Sequence, residues 1–199
     1  MMLIEETPIP DADLPVEAFK AHLRLGSGFA PGDVQDVVLL SFLRAAIAAV
    51  EGRTGKVLLK HGFSTSVARW RNCRVHGLPV APVDAVTAVE QVDASGTRVA
   101  VPAENWWLER DTHAPKLRAT GASLPEVPSE GSVVISFVAG FAADWEGVPS
   151  DLCQAVLMLA AHYYEYRHDT GLSDGCMPFG VSSLIERHKH IRMGAGAGR

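Results

Sequence analysis

The run SVVISFVAGFAADWEGVPSDLCQAVLMLAAHYYEYR, residues 132–167, contains both kinds of secondary structure that this chain is expected to form. Its first eight residues alternate between the two faces expected of a strand with one buried side. After Pro149 the period changes, because Leu152, Val156 and Leu159 recur at helical spacing. A strand followed by a long helix predicts an α+β fold.

Two further helices are predicted upstream. The first covers Leu14–Leu25 and is stopped by Gly26. The second begins after Asp33, ends near Gly52, and has a wide apolar face rich in alanine. Such a face suits close packing against another helix or against a neighbouring subunit.

Between the second helix and residue 138 the sequence changes to short alternating runs broken by Pro, Gly and Asp. The tripeptide Ala94-Ser95-Gly96 lies between two of these runs and predicts a hairpin turn. This region is therefore expected to form a small antiparallel sheet of six or so strands, inserted between helices.

The fold class predicted from these patterns is α+β, with a small bundle of long helices, an inserted antiparallel β region and a flexible C-terminal tail. Its expected parts are an N-terminal arm (1–13), a helical part (14–56), the β region (57–140), a long helix completing the helical part (149–170) and the tail (171–199).

Length and charge exclude several classes of protein. The chain has 199 residues, a net charge of −5 and three cysteines that are far apart. The acidic balance argues against a protein that grips nucleic acid through a basic surface, and the cysteines do not suggest a disulfide framework. No apolar run is long enough for a membrane helix, and the acidic N-terminus does not resemble a signal peptide.

One candidate metal site lies in the last long helix. His162, Glu165 and His168 are spaced at i, i+3 and i+6, so they share one side of a helix and could converge on a metal ion as in a small hydrolase. The zinc-protease spacing H-E-x-x-H is absent. The alternative is an amphipathic helix whose polar residues face solvent or a neighbouring subunit, and we favour it.

A nucleic-acid-binding module is a second possible interpretation. Trp106 and Trp107 could stack on bases, and Arg69, Arg71 and Arg74 could contact phosphate. Adjacent residues of a strand point to opposite faces, however, so one tryptophan is expected in the core and the other at an interface. The arginines fit a solvated strand edge equally well.

The remaining motifs do not indicate catalysis. No phosphate-binding loop, dinucleotide fingerprint or nucleophile elbow occurs, and His188-x-His190 has no partner cluster nearby in the sequence. Residues 184–199 carry four basic side chains against one acidic, whereas residues 101–183 carry four against eleven. An acidic body thus ends in a short basic tail, which is either frayed or ordered on docking to a partner.

The order of these segments resembles a known family. The segments that carry the resemblance cover most of residues 14–193. In chain order they are DLPVEAFKAHLRL, DVQDVVLLSFLRAAIAAVEGRTGKVLL, LPVAPVDAVTAVEQVDASGT with NWWLERD, SVVISFVAGFA with VPSDLCQAVLMLAAHYYEYR, and MPFGVSSLIERHKHIRMG. In combination they are similar to the head–tail connector (adaptor) proteins of long-tailed phages, the gp6-like group that includes the phiE125 gp8 type. The ending IERHKHI departs from the family's usual tyrosine-arginine ending. The composition would also suit a prophage or a gene transfer agent.

The resemblance implies a non-enzymatic structural protein of the virion, made in the bacterial cytoplasm, without a cofactor or catalytic residues. Such adaptors form a ring, typically dodecameric, beneath the portal protein, and extend the DNA channel towards a stopper or tail-terminator protein. Docking to the portal is assigned on this basis to Pro178, Phe179, Leu184, Arg187 and Arg192. A stopper (head-completion) protein is the nearest structural alternative.

Contacts between neighbouring copies are expected on two helices, at Val38, Phe42, Tyr163, Tyr164 and Arg167. Wide apolar faces that pack head to tail generate a ring when the rotation closes. The acidic body fits a channel through which packaged DNA slides without specific binding, because like charges oppose contact with phosphate.

Overall fold

We analysed a computed structural model of the chain, which describes residues 2–25, 34–167 and 177–189. The helices are α1 (Val16–His22), α2 (Val34–Thr54), α3 (Ser150–Glu165) and α4 (Phe179–Ile185). The strands are β1 (Met2–Glu5), β2 (His61–Val67), β3 (Val75–Gly77), β4 (Val83–Val92), β5 (Arg98–Ala100), β6 (Trp106–Glu109), β7 (Lys116–Ala119) and β8 (Ser132–Ala139).

Two antiparallel sheets form the β part of the described residues. The larger has the strand order β1-β2-β8-β4-β5 and the smaller has the order β3-β7-β6. Strand β8 lies at the centre of the larger sheet, and burial alternates strictly along it, with Val133, Ile135, Phe137 and Ala139 inside. The apolar period seen in the sequence therefore correctly indicated the inward face of this strand.

The buried side chains form two clusters. In the first, α2 and α3 pack together and receive Phe19 from α1 and Ile185 from α4. In the second, apolar residues of β2, β4 and β8 meet Leu117 of β7, so the two sheets share one core. One cluster thus holds the helices together and the other holds the sheets together.

The helical part is not the bundle of long helices that the sequence predicted. Only α2, with 21 residues, and α3, with 16, are long, whereas α1 and α4 have seven residues each. Helix α1 is shorter than the predicted Leu14–Leu25, because the backbone is not helical at Pro15 (ψ 57°) or at Arg24 (φ +56°), although Leu14, Leu23 and Leu25 still pack on the core. The broader prediction of a mixed α and β fold is compatible with the structure.

Three local features can be compared with the sequence predictions: the N-terminal arm, the hairpin turn and the C-terminal tail. The expected N-terminal arm contributes β1, which pairs with β2 from Met2↔Ser66 to Glu5↔Phe63. The predicted hairpin turn joins β4 to β5, with Gly96 at φ +85°. Residues 177–189, expected in a flexible tail, instead include the packed helix α4.

Within the described residues, no helix is both long enough and apolar enough to span a bilayer.

Candidate assembly surfaces

The segment Met177–Lys189, called here the docking segment, lies against α3. Val181 and Ile185 have no exposed surface and belong to the helical core. Gly180 comes so close to α3 that an added Cβ would lie 2.9 Å from Met158 Cε. The segment is therefore fixed to the body by one face of α4, and Phe179 and Ser183 on that helix are exposed.

An ion pair fastens the end of this segment to the start of α3. His188 is 8% exposed, and its Nε2 lies 2.7 Å from Asp151 Oδ2, while Arg187 Nε lies 2.6 Å from the same oxygen. Burial alone would raise the pKa of Asp151, but the hydrogen bond and charge of His188 and the charge of Arg187 outweigh it, so this pKa lies below its usual value. The carboxylate therefore stabilises the docked position of the segment.

The residues predicted for portal docking divide into three groups. Phe179 is 88% exposed, and Pro178 and Leu184 in the same segment are partly exposed, so each of these three can contact another protein. Arg187 is largely exposed but already paired with Asp151. Arg192 lies outside the described residues.

The residues predicted for contacts between copies are mostly packed against one another. The rings of Phe42 on α2 and Tyr164 on α3 meet edge to face with centroids 6.0 Å apart. Arg167 lies over the Tyr164 ring at 4.6 Å and donates to the Tyr164 carbonyl oxygen. Val38 is exposed, and Tyr163 is half-buried beside the helical core. This side of α2 and α3 is thus a preformed aromatic surface.

The candidate metal residues do not form a site among the described residues. His162 packs its ring against Tyr166 at 4.7 Å, while Glu165 is exposed, and His168 lies outside the described residues. In that part of the chain no group of three His, Cys, Asp or Glu side chains could hold a metal ion.

The candidate nucleic-acid residues lie at two edges of the smaller sheet. Trp106 packs on the core and Trp107 is 47% exposed, as the alternation of a strand predicts. Both are on the edge strand β6, whereas Arg74 precedes β3 at the opposite edge and donates to the Ala122 carbonyl oxygen. Arg69 and Arg71 line a separate cavity of about 570 Å³ near β3. The tryptophans and arginines therefore do not form one continuous surface.

Sequence reasoning missed the partner of His188, because Asp151 lies 37 residues away and nothing in the local pattern links them. It also missed two ionisable groups at the junction of helices and sheets. Lys56 is 1% exposed, and this burial lowers the pKa of its ammonium group. Its Nζ donates to the Thr112 carbonyl oxygen. Glu51 accepts a 2.8 Å hydrogen bond from the Leu58 backbone N–H, and burial raises the pKa of its carboxyl to about 7.

Three solved structures contain chains similar to this one. A chain of the neck of an empty gene transfer agent particle, computed with C6 symmetry, is 50% identical over 100% of both chains, with a TM-score of 0.90. A chain of the virion of a native gene transfer agent particle is 50% identical over 98% of this chain and 99% of that one, with a TM-score of 0.87. A chain of the native neck, computed with C12 symmetry, is 46% identical over 100% of both, with a TM-score of 0.85. Neither a protein-family model nor a curated protein matches this sequence.

Proposed function

Because this chain belongs to the family of neck proteins found in gene transfer agent particles, we propose that it is the adaptor of such a neck, joining the portal to the stopper or tail terminator. As a neck protein it has a structural role in the head–tail region of a virion. The relatives occur in necks computed with C6 and C12 symmetry, so copies of this chain form a ring. Twelve copies satisfy both symmetries, since twelvefold symmetry contains sixfold symmetry.

The main support for this proposal is the exposed side chain of Phe179, which lies in the segment to which the resemblance assigns portal docking. Phe179 is 88% exposed, so its side chain contributes very little buried apolar area to the fold of the free protein. It stands at the first residue of α4, whose opposite face is anchored by Val181 and Ile185. An aromatic side chain held on a rigid element is the typical anchor of a protein interface. We assign it to a pocket of the portal protein.

In the assembled ring of subunits, each copy would contact its neighbour through the aromatic surface formed by Phe42, Tyr164 and Arg167. Its side chains are held by contacts within the subunit, so little conformational entropy is lost on association. The net charge of −5 disfavours binding to the DNA that passes through the ring. In this proposal the packaged DNA passes through the ring without specific binding.

A binding experiment with the portal tests this proposal. Deleting the whole docking segment would also remove Val181 and Ile185 from the core, so a single surface substitution is the cleaner perturbation. The purified chain, Phe179→Ala and the matched control Tyr166→Ala, whose ring is 49% exposed, are each mixed with the portal of the same particle. Native mass spectrometry measures the copies bound, and thermal unfolding checks that each variant is folded.

We expect the wild type and Tyr166→Ala to bind the portal in matching copy number. Loss of an aromatic anchor typically costs 2 kcal/mol or more, so Phe179→Ala should bind roughly 30-fold more weakly at an unchanged melting temperature. If the wild type ignores the portal but binds the tail terminator, the chain is a stopper. If Phe179→Ala binds the portal as well as the wild type does, the docking assignment is wrong.

A further inference from the structure

In the part of the chain that the structure describes, no further strand pairs with either edge of the five-stranded sheet. All four residues of β1 are exposed, including Met2 at 60% and Ile4 at 42%, and all three residues of β5 are exposed, including Val99 at 57%. Neither strand contains Pro or Lys, two of the residues with which proteins protect a sheet edge, although each is short and carries one charged residue, Glu5 or Arg98. Exposed apolar edges of this kind are templates for pairing with another chain.

The pairing pattern shows which backbone groups of β1 are free to bond outward. Just beyond β1, the Glu6 N–H donates to the Gly62 carbonyl oxygen at 2.8 Å. In an antiparallel pair, inward-bonded and outward-facing residues alternate. Ile4 therefore bonds to β2, whereas the N–H and C=O groups of Leu3 and Glu5 face away from the sheet.

The same argument applies to β5 at the other edge. Val101 N–H donates to the Val89 carbonyl oxygen at 2.8 Å, which makes Val99 another inward-bonded residue. The N–H and C=O groups of Arg98 and Ala100 consequently face outward. Within residues 2–25, 34–167 and 177–189, each edge thus offers two residues, two positions apart, whose backbone donors and acceptors are not used by the sheet.

We propose that β1 of one copy pairs in parallel with β5 of the next copy, so that the sheet continues from subunit to subunit around the ring. This inference rests on the ring of the proposed function. With Leu3 beside Val99, three hydrogen bonds form: Leu3 N–H to Arg98 O, Ala100 N–H to Leu3 O, and Glu5 N–H to Ala100 O. The same register places the exposed side chains of Leu3 and Val99 side by side on one face of the sheet.

The direction of the strands supports this head-to-tail arrangement. Successive neighbours in the sheet are antiparallel, so β1 and β5, four strands apart in order, run in the same direction. Rotation about an axis along the strands preserves that direction, and a contact between two different edges generates a ring when the rotation closes. Antiparallel pairing of like edges would instead be an isologous two-fold contact, which closes as a dimer and does not generate a ring.

Cysteine cross-linking tests the contact directly. Within one copy Leu3 and Val99 lie at opposite edges of the sheet, separated by four strand spacings or about 19 Å, so a disulfide between them cannot form inside a subunit. Across the proposed junction their Cα atoms are about 5 Å apart, which a disulfide spans. We would oxidise Leu3→Cys/Val99→Cys, both single variants and the control pair Leu3→Cys/Ser123→Cys, alone and bound to the portal. Ser123 is exposed but not on an edge strand.

We expect a ladder of covalent multimers for Leu3→Cys/Val99→Cys only, read on non-reducing gels. A second comparison uses Leu3→Pro, which removes one outward N–H, against Leu3→Val, which keeps it. Leu3→Pro should need a roughly tenfold higher concentration to form the ring by native mass spectrometry. If rings form but Leu3→Cys/Val99→Cys gives no disulfide-linked multimers, the proposed pairing of β1 with β5 is wrong, whereas the proposed ring still stands. If no ring forms alone or on the portal, the proposed function fails and the shared sheet with it.

Discussion

The carboxyl of Glu51 should destabilise the fold at neutral and alkaline pH. It lies in the last turns of α2, where its Oε1 accepts from the Leu58 N–H. Burial is the main reason why its pKa is raised to about 7, and the nearby charge of Glu5 adds to the shift. Glu51→Gln keeps an acceptor oxygen for Leu58 but cannot ionise, so it isolates the effect of the charge.

The sign and size of the effect follow from linkage. Between pH 4.5, the ordinary value, and about pH 7, the folded chain binds more protons at Glu51 than the unfolded chain does. The unfolding free energy therefore falls as pH rises through this window and is constant above it. Each pH unit is worth about 1.4 kcal/mol, so the full cost at pH 8 is about 3 kcal/mol. Glu51→Gln should then be more stable than the wild type by 2–3 kcal/mol at pH 8, or roughly 5–10 °C in melting temperature.

Urea unfolding of both proteins at pH 4.5 and pH 8 measures this difference, since the other titrating groups are common to both chains. The two proteins should be equally stable at pH 4.5. Glu104→Gln, at an exposed position, is the control and should change stability little at either pH. A stability difference that is the same at both pH values, or a wild type more stable than Glu51→Gln at pH 8, would refute a raised pKa as the cause.

Three further substitutions test other parts of the structure. Asp151→Asn should lower the unfolding free energy by about 2 kcal/mol at pH 7, because it removes the ion pair with His188. Urea unfolding measures this loss. The loss should vanish as the pH falls below 3.8, because the pKa of Asp151 in the folded chain is lowered. Phe19→Ala should cost about 3–4 kcal/mol in the same assay, because this ring is fully buried and anchors α1. His162→Ala should leave the zinc content of the purified chain unchanged by elemental analysis, because this imidazole packs on Tyr166.

Periodicity predicted the elements whose burial is regular. The alternation of β8 and the helical stripe of α3 from Leu152 to Ala160 both appear in the structure as they do in the sequence. The turn before Thr97 was also predictable, because the Asp93 carboxylate accepts from the backbone N–H groups of Ser95 and Thr97, a local contact that a short sequence determines.

Elements and contacts that depend on distant partners could not be predicted. Strand β1 is four residues long and exposed throughout, so it carries no alternation of buried and exposed positions, and only its pairing with β2, some 60 residues later, makes it a strand. The raised pKa of Glu51 and the pair between Asp151 and His188 likewise arise from burial after folding. A local pattern contains no information about either.

The carboxyls of Glu51 and Asp151 respond to acid in opposite senses, and together they set the pH range in which the subunit is most stable. As pH falls from 7 to 4.5, protonation of Glu51 adds stability to the body. Asp151 remains ionised over the same range, because its pKa lies below 3.8, so it continues to hold the docking segment on α3. Body and docking segment are therefore both well held near pH 5. The ring should therefore form at a lower protein concentration at pH 5 than at pH 8, which native mass spectrometry at the two pH values measures.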